Sequence, residues 1–169
     1  GKAIKEMIDL GLIEKSNMAL YGAQASGSSP ITTAVKKESD VIAPVIPNTI
    51  AHSIAIGNPA DGYYSVKAIN NSGGCAEDVS DDELVEGIKL LASTEGIFTE
   101  TAGGVTVAVT KKLIEQGKLP RDESIVICIT GNGLKTLEAV MDKVEKPCVI
   151  DANIESFNAI MEKREVCTA

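Results

Sequence analysis

A chain of 169 residues, 44% apolar and 24% charged, has the composition of a globular domain that can bury a core and lies far from the signature of disorder. A formal net charge of −8, with no Lys/Arg run longer than two residues, excludes the concentrated basic face that nucleic-acid phosphates require. The longest apolar run, residues 124–130, is strand-sized and well short of the ~20 residues of a membrane helix.

In chain order, Lys2–Leu10 carries Ile4, Met7 and Ile8 at helical spacing, with Gly11 placed to end the helix. Met18–Gln24 reads as a strand. Ser26-Gly-Ser-Ser29 then punctuates the chain, and Pro30 sits where a first-turn proline is tolerated, so a helix is expected over 29–37 with serines as caps. Residues 38–58 hold two prolines, with Pro59 directly after them, and no sustained period, an irregular connection with one short helix near Thr49–Ile54. Tyr63–Asn70 is helical again, and Gly73–Val79 is a short strand. Ser80-Asp-Asp-Glu83 is a capping box, followed by Leu84, Ile88 and Leu91 as a buried stripe.

The spacing of Val105, Val109 and Leu113 predicts a second strong helix over 102–116, ended by Gly117. Ser124–Thr130 is uninterrupted and apolar, as in a central parallel strand covered on both faces, and Cys128 within it reads as a small core residue. Gly131-Asn-Gly133 breaks the run, and helix resumes over 134–144. Val149–Asp151 is a candidate edge strand and Asn153–Lys163 a last helix. The expected fold is α/β, three-layered, with a mostly parallel sheet and helices on both faces. A helix at the first residues with no strand before it predicts that the parent sheet takes further strands from upstream sequence.

Cys75, Cys128, Cys148 and Cys167 form no C-x-x-C pair, so neither a zinc site nor a disulfide framework is expected, and a reducing, cytoplasmic setting fits. Ile129-Thr-Gly-Asn-Gly-Leu-Lys135 would put the Thr130 hydroxyl and free backbone amides at the carboxyl edge of the sheet, where open α/β folds bind ligands. The same glycines could simply make a tight turn. With Thr136 at the third glycine position of G-x-G-x-x-G, a nicotinamide site is disfavoured. Glu100 opens the helix at 102, either as a plain N-terminal carboxylate or as a buried acid facing a pocket. His52 is the lone histidine, with no partner suggesting a triad, and reads as a surface or satisfied core residue.

Taken in order, Gln24-Ala-x-Gly-x-x-Pro30, Thr49-Ile-Ala, Ile54-x-Ile-Gly-Asn-Pro59, Ser72-Gly-Gly74, Ser80-Asp-x-Glu83, Glu95-Gly-Ile-Phe-x-Glu100 and Thr130-Gly-x-Gly-Leu-Lys135 resemble the threonine synthases, a family of pyridoxal-phosphate enzymes of fold type II. The match runs from about Lys2 to Val144. Related threonine and serine dehydratases share some of these motifs and are the alternative, beside a non-catalytic binding domain of the same fold.

The resemblance implies that residues 1–145 are the C-terminal half of the large domain and 146–169 a C-terminal extension. It implies a homo-oligomeric parent enzyme that converts O-phosphohomoserine and water to threonine and phosphate. Thr130 matches the residue that hydrogen-bonds the pyridine nitrogen of pyridoxal phosphate, with Gly131 beside it. Glu100 matches a carboxylate near the cofactor, and Gly57 and Asn58 a stretch near the pocket. The family's Schiff-base lysine and phosphate-holding glycine loop match nothing in this chain, so no catalytic residue is expected here, and the chain alone should be inactive and bind no cofactor. Thr101 stands where the family has Pro, which should alter the start of the helix.

Overall fold

The computed structural model describes residues 1–120, 122–144 and 148–167, with side chains as far as residue 162. Its helices fall where apolar periodicity and caps place them: α1 (Lys2–Asp9), α2 (Pro30–Lys36), α3 (Gly62–Asn71), α4 (Asp81–Glu95), α5 (Thr101–Glu115) and α6 (Ile154–Cys167). Two strands, β1 (Gly22–Ala25) and β2 (Ala76–Val79), pair in parallel with Gly22 opposite Ala76 and Ala25 opposite Val79. The architecture is therefore α/β with a parallel sheet. Helices α2 and α5 each pack across both strands, and α4 lies on α5.

The core sits where these pieces meet. Leu84, Val85 and Ile88 of α4 interleave with Val105, Val109 and Leu113 of α5, and Ala25 and Val79 close it from the strands. The α4–α5 approach is close because Gly87 and Gly104 face one another's helices: a Cβ on Gly87 would come 2.4 Å from the Gly104 carbonyl oxygen. The capping box forms as the sequence predicts, with Ser80 Oγ accepting from the Glu83 amide at 3.2 Å and Glu83 Oε2 accepting from the Ser80 amide at 2.7 Å. The serines ahead of α2 behave differently. They form a short 3-10 turn, Ser26–Ser28, and Ser29 makes no side-chain cap; the Thr32 amide in the first turn of α2 donates instead to Gln24 Oε1 at 2.8 Å.

The apolar run 124–130 departs most from its expected state. It joins no ladder, and Ile125, Val126 and Ile127 are exposed, Val126 at 87%. Cys128 is exposed too and is not a core residue. A strand exists only where a neighbour takes its backbone hydrogen bonds, and among the described residues β1 is bonded to β2 alone. An apolar groove of about 460 Å³ is lined by residues 18–21 and Ala23, by Val109 and Leu113 of α5, and by Glu123–Cys128. Val149–Asp151 likewise forms no strand, and Val149 is 97% exposed. Residues 133–139 form 3-10 turns interrupted at Thr136, whose torsions of −135° and 43° are not helical, in place of the expected α-helix. Between Thr49 and Ile54 the expected short helix is a single 3-10 turn, His52–Ile54, with His52 exposed.

Candidate functional site

Glu100 precedes the first residue of α5 with extended torsions of −67° and 171°, the geometry of an N-cap, yet its side chain makes no capping bond. The carboxylate is buried at 5% exposure and turns to Lys135, whose Nζ lies 2.7 Å from Oε2. This close ion pair is the contact described at Oε2. The plain side-chain cap is therefore not formed; the carboxylate is instead buried against Lys135.

The segment Thr130–Thr136 folds down on this carboxylate. Gly131 adopts φ +72°, and a Cβ there would sit 2.1 Å from Glu100 Oε1, so only glycine fits both the torsion and the space. The docking continues along the backbone. Thr99 and Asn132 form an isolated antiparallel bridge, the Gly133 amide donates to the Phe98 carbonyl at 3.0 Å, and the Glu100 amide donates to the Gly131 carbonyl at 3.4 Å. Thr99 Oγ1 donates to the Thr130 and Gly131 carbonyls at 3.5 and 3.4 Å. Asn132 Oδ1 accepts from the Leu134 amide and braces the turn from within.

Thr101 keeps the start of α5 regular. It holds the first helical position, where a proline would lack a donor, and its amide donates to Thr136 Oγ1 at 3.2 Å. Its own hydroxyl is fully buried and has no partner among the described residues. Thr130 itself is exposed, at the head of this docked turn.

The structure thus brings Glu100, Thr130 and Gly131 together. Gly57 and Asn58 lie apart in the contacts described: the Gly57 carbonyl accepts from the Val45 amide at 3.0 Å, and a Cβ on Gly57 would meet the Val45 carbonyl at 1.9 Å. Lys135 and Thr136 are partners that sequence reading leaves unassigned. Their contacts span 35 positions, and no local pattern announces them.

A second charged cluster lies at β2. Glu77, 5% exposed, takes an ion pair from Lys36 and hydrogen bonds from the Asp78 amide and Gln116. Burial alone would push its carboxyl up, but these donors outweigh it and bring the value down to about 2. Here the network joins α2 to β2 and the end of α5. No group of His, Cys, Asp and Glu able to hold a metal ion occurs among the described residues. No helix among them is long and apolar enough to cross a membrane.

Among proteins of known sequence, the chain is 41% identical over 163 residues to the threonine synthase of Methanocaldococcus jannaschii, covering 96% of this chain and 40% of that protein. It is 41% identical over 157 residues to the threonine synthase of Methanosarcina acetivorans, covering 92% and 38%. The chain therefore spans about 40% of the length of the curated relatives it matches. Among solved structures, a Rhizomucor miehei L-serine ammonia-lyase superposes with a TM-score of 0.58 at 17% identity, covering 83% of this chain and 45% of that one. Maize serine racemase superposes with a TM-score of 0.54 at 20% identity, over 74% and 39%. These two likenesses establish the shared fold. Residues 2–131 match the family of pyridoxal-phosphate dependent enzymes, and the chain belongs to that family.

Proposed function

We propose that this chain is the C-terminal part of a threonine synthase and supplies the wall that meets the ring-nitrogen end of pyridoxal phosphate. The observation that carries the reading is the docked turn: an exposed Thr130 hydroxyl heading a glycine turn clamped on the buried Glu100. Similarity to archaeal threonine synthases across nearly the whole chain supports the substrate class. The residues present fit one end of the cofactor. Thr101 Oγ1 is a buried polar atom without a hydrogen-bond partner among the described residues, and Thr130 offers a hydroxyl.

When bound, the cofactor supplies an electron sink for the bonds broken at the substrate carbons. The part of Thr130 is to hydrogen-bond the ring nitrogen without donating a firm proton, as a carboxylic acid would. Gly131 and Glu100 hold that hydroxyl in place. Gly57 and Asn58 are proposed to line the pocket farther from this cluster. The covalent lysine and the phosphate-holding loop are proposed to lie outside these 169 residues, so the chain alone turns over nothing and holds no cofactor. Residues 1–145 are proposed to belong to the large domain, 146–169 to be an extension, and the parent enzyme to be a cytoplasmic homo-oligomer acting on O-phosphohomoserine.

Assay of the whole gene product tests the reading. Phosphate release from O-phosphohomoserine, with threonine formed and no ammonia released from threonine or serine, is the expected result. Ammonia from either amino acid without phosphate release would assign a dehydratase instead.

A further inference from the structure

Lys135 has no place in the chemistry proposed above, yet its ammonium is the counter-charge of a buried carboxylate. Its side chain is 61% exposed while that of Glu100 is 5% exposed. Ion pairs between two exposed side chains contribute little, because water screens them and two flexible chains must be held. A pair with one buried member differs: removing the cation strands a charge that burial penalises. Nothing else described at Glu100 replaces the cation. Its carboxylate makes no cap to α5, and the Thr101 amide is already given to Thr136.

The position of that carboxylate matters because its other oxygen fills the space beside the Gly131 Cα, and the Glu100 amide bonds the Gly131 carbonyl. A shift of the carboxylate toward Gly131 would therefore displace the turn that carries Thr130. Lys135 belongs to the same turn, so the pair closes a loop: the turn supplies the cation that holds the carboxylate that holds the turn.

We propose that Lys135 is a positioning residue, which through Glu100 fixes the Gly131 turn and so the placement of Thr130. The role assigned to Thr130 rests on the function proposed above; the clamp itself does not.

Amide hydrogen exchange on the 169-residue chain reads the clamp without substrate or cofactor. Lys135→Met is expected to lower protection of the Glu100 and Gly133 amides at least about tenfold, equivalent to ~1.4 kcal/mol of local opening, while amides inside α4 keep theirs. Lys135→Arg is expected to restore protection. Adding Glu100→Gln to Lys135→Met should cost no further protection, since the stranded charge is gone. Unchanged protection in Lys135→Met, or an equal loss throughout the chain, would overturn the clamp. In the full-length enzyme, Lys135→Met should lower kcat for O-phosphohomoserine while leaving KM near its original value. A full-length protein that never releases phosphate would defeat the assigned function and leave the exchange result standing.

Discussion

At Gly131 two independent demands coincide, a left-handed torsion and a carboxylate oxygen where a Cβ would stand. Either alone would be tolerated at modest cost, but together they leave an alanine no relaxed position unless Glu100 moves. Gly131→Ala should therefore lower stability by about 1–3 kcal/mol, measured as a shifted urea midpoint. An unchanged midpoint would mean that the turn swings off Glu100 freely. Both residues were legible as candidates because a glycine after an apolar run and an acid before a helix are local signals. Lys135 and Thr136 were not, since what they meet lies 35 positions away along the chain. Gln24 was hidden for a similar reason: a glutamine at a strand end gives no sign that it will serve an amide of the next helix in place of the adjacent serines.

Among the elements, the six α-helices were readable, whereas the helix expected over 134–144 and the strands expected over 124–130 and 149–151 do not form among the described residues. A helix closes its hydrogen bonds within itself, so periodicity and caps suffice, as the start of α4 shows. Ser80→Ala removes the acceptor for the Glu83 amide and should cost about 1 kcal/mol, visible as a lower thermal midpoint with α4 still formed. A strand depends on a remote neighbour, and residues 124–130 lack one among the described residues despite their composition. At β2 the sheet is tied to its helices through Glu77. Its folded-state carboxyl, at about 2, lies below the ordinary value of 4.5, so the folded state favours the charged form. The stabilisation is full above the ordinary value and is lost as pH falls from there toward about 2. Thermal midpoints of the wild-type chain should drop through that window. Glu77→Gln should begin lower and show a shallower fall, whereas parallel curves for the two proteins would remove Glu77 from the acid response.

For the whole molecule, the balance between covered and uncovered apolar surface sets its behaviour in isolation. The core between α4, α5 and the sheet is formed, but among the described residues β1 has one unpaired edge, and the exposed Ile125, Val126 and Ile127 line a groove with residues next to it. Sheet edges flanked by apolar chain recruit other strands, and this edge carries no lysine or proline to discourage it. The isolated chain should accordingly self-associate in a concentration-dependent way during analytical ultracentrifugation. Val126→Lys places a charge on the most exposed residue of the run, at a site that contributes nothing to the core, so stability should stay within about 0.5 kcal/mol of wild type while association weakens. Were the variant to associate as strongly as the wild type, the contact would have to form elsewhere, and the exposed face of α3 with Tyr63 and Tyr64 would be the next surface to alter.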